Sequence, residues 1–493
     1  MKIRSQRRCA SRGVRGLVAC ALRGLRVAAL ATALLPGAAF ADACERLALD
    51  ATIARLVPRI ESFTLANGLR VHLVRRPGES SVAVRVAYDV GSRDDPEGRS
   101  GVAHLFEHMM FKGSAHVGDG GHFRIVRDAG GRTNAQTDYD TTEYWDTVPG
   151  EALGRVLFAE ADRMHDIQIT SANLDNQRAA IQEEGLGLAN TPYVAAAAAF
   201  ASRLWTGTPY ARSPLGTDEE IGRMTEGEAR HFHARYYGPS NAVLVVVGGF
   251  DARAMRDRIE REFGVIRGSA RASDRRRTPF ELDRRARSDV VDDPLAPFPV
   301  YAVVWHGVGA RDSDAPALAL VDDLLMGHAD ARLSRAIDGT LALDAYALSF
   351  ALRDVGLLNY VFAPRTFVGF DDIERVLRRE IGRLRSEGPQ PGELCRSRLR
   401  KQTERLAALG TNEGVAAAIA RGALLHDDPR HFEAELHQLG ALDVETVRRA
   451  AARYLVDDFS TLEIRAAGLM RWLKPVLEFL PASVGSALER MLL

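Results

Sequence analysis

The chain has 493 residues, with 65 basic against 65 acidic side chains, 46% hydrophobic residues and four cysteines. That length can bury more than one ordinary core. The even charge leaves no electrostatic footprint for nucleic acid, and the cysteines are too few for a disulfide framework.

At the N-terminus, Lys2, Arg4, Arg7, Arg8, Arg12, Arg15, Arg23 and Arg26 precede the apolar run Val27 to Leu35, and Ala39-Phe40-Ala41 satisfies the small-x-small cleavage rule. The pattern predicts a signal peptide over 1–41 and a periplasmic or secreted mature chain, because the apolar run is too short to anchor in a bilayer. Arg7-Arg8 lacks the rest of a twin-arginine motif. Asp42 and Ala43 make Cys44 a poor lipidation site, and Cys44 and Cys395 are free to pair in an oxidising compartment.

Ser81 to Tyr88 reads as an apolar strand, followed by a Gly/Asp/Pro-rich loop through Gly101 and then a helix carrying His104-Leu105-Phe106-Glu107-His108. At about 3.6 residues per turn, positions i, i+3 and i+4 share a face, so His104 and His108 can point at one metal with Glu107 beside them. Hydrolytic zinc sites keep one position open for water, and a carboxylate that is not a ligand can take that water's proton. Two histidines leave the ligand set short. A carboxylate from a second helix is the usual remedy, and Ser171 to Leu188 reads as a helix capped by Ser171 with the pair Glu183-Glu184 near its far end.

The His-x-x-Glu-His order is the inverzincin signature. With it, the chain resembles the pitrilysin and mitochondrial-processing-peptidase family, whose third ligand lies in a segment like Arg-x-x-x-x-x-Glu, 76 positions after the second histidine; here that is Arg178 to Glu184. The resemblance implies one zinc per chain, held by His104, His108 and Glu184, with Glu183 the next candidate, and Glu107 as general base. It extends through Phe111-Lys112-Gly113-Ser114, through Gly131 to Thr137, and through Tyr236 to Gly248, covering most of residues 60 to 255. Asn134, Ala135 and Gln136 fall on the strand that pairs with substrate backbone in the family. Where many relatives carry an additional Glu, this chain has Gln177, which reads equally well as an uncharged supporting residue or as a plain helix-surface residue.

The chain also resembles itself. Val90-Gly91-Ser92-Arg93-Asp94 recurs as Val308-Gly309-Ala310-Arg311-Asp312, Ala234-Arg235-Tyr236 recurs as Ala452-Arg453-Tyr454, and Thr225, at a helix start, maps onto Asp443, each at an offset of 218. The same offset puts Asp322, Leu325 and Met326 where the metal motif stands, so the second copy cannot bind zinc this way. The expected fold is α+β, in two homologous halves, each a mixed β-sheet with helices packed on one side, together forming one half of a clam-like chamber. The domains expected are a peptidase domain over 60–266, a charged arginine-rich linker over 267–294, a metal-free domain over 295–465, and an amphipathic tail over 466–493 that folds back, docks on a partner or lies on a membrane surface.

Single-chain pitrilysins are about twice this length, so the resemblance implies a homo- or heterodimer with a homologous subunit. Relatives also place an Arg seven positions before a Tyr, both near the substrate carbonyl. Tyr346 matches the Tyr, the expected Arg is missing, and Arg335 is the nearest; Tyr346 reads equally as a core aromatic. The function expected is a zinc-dependent endopeptidase acting on extended or unfolded peptides. The alternative is a non-catalytic or weakly active structural subunit of a peptidase-like heterodimer.

Overall fold

The computed structural model describes residues 49–268, 280–337 and 339–467; the leader over 1–41, Cys44, part of the expected linker and the tail from 468 lie outside them. Two sheets organise the chain. The first takes β1 (Ile60–Thr64), β2 (Arg70–Arg75), β3 (Ser81–Tyr88), β4 (Arg132–Thr137), β5 (Thr142–Pro149) and β6 (Ala242–Gly248) in the order β1-β2-β6-β3-β5-β4. β2 and β6 run parallel and all other neighbours antiparallel, which leaves β4 at an edge. The second sheet runs β10 (Phe350–Ala351), β11 (Gly356–Pro364), β8 (Val300–His306), β12 (Ser460–Ala466), β7 (Ser288–Asp293), with β9 (Ala342–Ala347) also paired to β11.

The internal repeat survives as geometry. β7 stands 218 residues after β2, β12 the same distance after β6, and the parallel pairing Arg70↔Val243 returns as Ser288↔Thr461. The helices Glu226–Tyr236 and Val444–Tyr454 keep the offset, each started by an N-cap side chain, Thr225 accepting from the Glu228 N–H and Asp443 from the Thr446 N–H.

One expectation needs correction. The stretch 267–294 is not linker throughout, because Ser288–Asp293 is a strand: its backbone pairs with β12, which the arginine-rich run just before it obscures in the sequence. Each half is the expected mixed sheet with its own helices on one side, and the opposite face of each sheet is covered from the other half. The first sheet packs one face on its own helices, among them α1 (Val102–Met109) and α2 (Leu153–His165). A helix of the second half, Asn412–His426, also packs on β3 and β6. In return, the first-half helix Val194–Leu204 and the residues after it bury Phe200, Leu204, Trp205 and Tyr210 against Val304, Leu357, Leu462 and Ile464 of the second sheet. This exchange explains the unbroken apolar run of β6 and the nearly continuous one of β3, broken at Arg85, which pairs with Glu143: strands covered on both faces do not alternate polar with apolar.

Candidate metal centre

The helix with the histidines is started by other segments rather than by its own side chains. Gly101 precedes α1 in the left-handed region, φ +85°, and a Cβ there would lie 2.7 Å from the Leu215 carbonyl oxygen. The Asp95 carboxylate accepts from the Gly101 and Ala103 N–H groups at 2.7 and 2.9 Å, satisfying donors that the first turn cannot pair internally. Behind the helix, Phe106 packs between Phe232, His233 and Tyr237.

The opposite face of α1 meets α3 (Ser171–Ala189), whose N-cap is Thr170, accepting from the Asn173 N–H, rather than Ser171. Across this contact Glu184 Oε2 lies 3.5 Å from His104 Nε2 and 3.6 Å from His108 Nε2. One donor atom from each of the three residues falls within 4.8 Å of the others. Glu183 is exposed and outside the group. Burial lowers the His104 imidazole to about 4, with His108 adding to the shift. Burial also lowers His108, against the opposing pull of Glu184 and a hydrogen bond to Gln177. Both rings are therefore uncharged at neutral pH, as metal ligation requires. Two neutral imidazoles and one carboxylate suit zinc with a free fourth position. The His104 Nδ1 is buried without a hydrogen-bond partner among the described residues, so packing, including an edge-on contact with His108 at 4.8 Å between ring centres, sets that ring's orientation.

Gln177 is not a surface residue. It is buried, donates to Asn176 Oδ1 at 2.6 Å and hydrogen-bonds His108, because its position on α3 turns it toward α1. Glu107 stands beside the three. Burial raises its pKa, Thr137 opposes this with a side-chain and a backbone hydrogen bond, and nearby Glu184 pushes it up again. Thr137 was not singled out in the sequence. A threonine on a strand carries no local signal, and its contact with α1 exists only once the sheet is assembled.

Asn134 and Ala135 lie on edge strand β4, where the Asn134 amide oxygen accepts from the Ala135 N–H at 2.9 Å. Tyr346 on β9 is 43% exposed and so is not a core residue, because among the described residues β9 pairs with one neighbour and leaves its other side open. Arg335 lies exposed on the short helix Arg332–Ile337, within electrostatic reach of Glu393. In the second half, the positions equivalent to the metal motif hold buried Leu325 and Met326, while Asp322 accepts from Ser349 Oγ at 2.5 Å.

A second cluster, His122, Asp146 and Glu160, also gathers three potential ligand atoms. Arg163 is buried among them, with Nε 3.0 Å from Glu160 Oε2, and its guanidinium already fills the cationic place. A divalent ion there would face a cation at contact distance in a dry interior. His122 Nε2 lies 2.9 Å from Asp146 Oδ1, and the cluster reads as a self-neutralised support beneath β5.

Comparison with known proteins divides the chain earlier than the sheets do, since β6 of the first sheet falls within the second match. A family profile described as insulinase (peptidase family M16) matches residues 70–218, and one described as peptidase M16 inactive domain matches residues 223–400. The chain is 25% identical to the zinc protease PqqE of Helicobacter pylori over 82% of its own length and 92% of that protein. It is 25% identical to the mitochondrial-processing peptidase subunit beta of Lentinula edodes over 83% of its length and 91% of that protein. A crystal structure of a Helicobacter pylori protease superposes with a TM-score of 0.77 at 24% identity, covering 83% of this chain and 99% of that one. The periplasmic protease PqqL of Escherichia coli superposes with a TM-score of 0.71 at 19% identity, this chain spanning 88% of itself but 50% of that protein. With both halves matched by profiles of one family and by the fold of its members, the chain belongs to peptidase family M16.

Proposed function

We propose that the chain is a zinc-dependent endopeptidase that hydrolyses extended peptides or unfolded polypeptide segments. The observation that carries this reading is the convergence of His104, His108 and Glu184 beside a half-buried carboxylate, Glu107, that is not one of the three. One zinc ion bound there would act as a Lewis acid, lowering the pKa of water and polarising the scissile carbonyl. Glu107 takes the proton of the attacking water and returns it to the leaving amine; its desolvated carboxylate is a stronger base than one in water. An extended peptide adds as a strand along β4 at Asn134 and Ala135, displacing the Asn134 amide from the Ala135 N–H.

The description "inactive domain" falls on residues 223–400 and touches none of these groups, which favours the enzyme over the structural-subunit reading. With Gly339 where relatives carry an arginine seven positions before the tyrosine, the charge that stabilises the developing oxyanion comes from a homologous partner chain, in a homo- or heterodimer. The basic, apolar leader and the disulfide at Cys395 support a periplasmic or secreted location, and the similar Escherichia coli protease PqqL is itself periplasmic. The deciding experiment is metal analysis and peptide hydrolysis side by side. Glu107→Gln should keep one zinc per chain and lose activity by roughly a hundredfold or more, whereas His104→Ala, His108→Ala and Glu184→Gln should lose both. Stoichiometric zinc in any of those three would overturn the ligand set.

A further inference from the structure

The repeated Val-Gly-x-Arg-Asp segments take no part in the metal chemistry, yet each holds a turn. In the first half, the Ser92 and Arg93 N–H groups donate to the Asp138 and Tyr139 carbonyls, both at 3.1 Å, in the turn between β4 and β5. Backbone lies directly on backbone here: a Cβ on Gly91 would sit 2.5 Å from the Asp138 carbonyl oxygen. In the second half, the Ala310 N–H donates to the Leu352 carbonyl at 2.7 Å, and a Cβ on Gly309 would sit 2.7 Å from the Asp354 Cα.

The two turns then meet. Asp140, only 3% exposed, accepts from Arg93 Nη1 at 2.6 Å, from Tyr210 Oη at 2.9 Å and, across the halves, from the Arg353 backbone N–H at 2.8 Å. Arg353, also 3% exposed, pairs its guanidinium with Asp89 just beyond β3, while Arg93 reaches Asp354 at 2.7 Å. A buried charge lattice of this kind resists displacement, because breaking one member leaves another unpaired in a dry interior. The turn it grips continues directly from β4, the open edge of the first sheet.

We propose that Asp140 and Arg353 are positioning residues for peptide binding, through which the metal-free half fixes the alignment of the β4 edge. A peptide that adds as a strand makes several backbone hydrogen bonds at once, and each weakens steeply when donor and acceptor are misaligned. This inference rests on the reading of β4 as the substrate strand.

The test uses the full chain loaded with zinc and a fluorescein-labelled unstructured peptide of about a dozen residues. Its Kd is read by anisotropy in the Glu107→Gln background, and KM and kcat per bound zinc with Glu107 intact. Asp140→Asn and Gly309→Ala should raise both Kd and KM about tenfold and leave kcat per zinc within about twofold. Arg311→Ala, the exposed counterpart of Arg93 in the repeat, should change neither. Should Asp140→Asn fail to fold, Tyr210→Phe, which removes one of the three donors, should still raise Kd about threefold. A merely structural role would instead lower the zinc-loaded fraction while the remaining protein keeps wild-type Kd and KM, and that outcome overturns the proposal. If the chain binds the peptide but does not cleave it, the catalytic reading fails and Kd alone decides this one; if it binds no peptide, both fall.

Discussion

Thr137 holds Glu107 twice, through its hydroxyl and through its backbone N–H, so the last residue of the edge strand is tied to the carboxylate beside the proposed metal ligands. Removing the hydroxyl leaves the base with one anchor. Thr137→Val should lower kcat by about tenfold at unchanged zinc content, and Thr137→Ser should restore most of it. Steady-state kinetics paired with metal analysis checks this; a loss of zinc in Thr137→Val would point to a structural role instead.

Gln177 gives His108 a neutral partner where a carboxylate would raise the basicity of the ring. Gln177→Glu should therefore tighten zinc binding by roughly tenfold, the scale on which outer hydrogen-bond partners act. Competition with a chelator of known affinity would show it. No change, or weaker binding, would mean that the Gln177 contact breaks when metal enters.

Gly101 starts the histidine helix from a left-handed conformation with no room for a side chain. Gly101→Ala should cost about 1–3 kcal/mol, seen as a lower Tm. It should also weaken zinc binding, because the first turn of α1 carries His104. An unchanged Tm would show that the Leu215 and Gly216 backbone yields easily.

Acid should destabilise the fold through its buried histidines. Burial holds both His233 and His72 at about 4, against 6.5 for an unburied ring, so on acidification the unfolded chain takes up protons that the folded chain refuses. The stability is complete above about pH 6.5 and declines as pH falls toward 4, by an order of 1–2 kcal/mol per group between pH 7 and pH 5. His233→Phe keeps an aromatic ring against Phe106 and Tyr237 and should flatten the dependence of Tm on pH relative to the parent protein. Parallel curves would assign the slope to other groups.

Much of the site was legible because its spacing is local. His104, Glu107 and His108 belong to one helix face, and the family resemblance chose Glu184, which reaches both histidines, over Glu183, which stays outside the group. Contacts made only by tertiary assembly were not legible. Nothing in the residues flanking Gln177 or Thr137 says that one meets His108 and the other Glu107. Likewise Val415, Ile419 and Ala423 give Asn412–His426 an apolar side without naming the sheet it covers, and the strand Ser288–Asp293 is too polar to stand out from the arginine-rich run before it.

The exchanged helices make the two halves conditional on one another. Each sheet would lose the cover of one face if its counterpart were taken away, so the stretch between the two sheet-bearing halves is not a place where the protein divides into independent folding units. A chain opened between residues 268 and 280 should give two fragments that aggregate or stay partly folded when alone. Mixed, they should recover one cooperative unfolding transition together with zinc binding, behaving as complementary pieces of a single body whose inert portion is as necessary to the metal site as the portion that bears it.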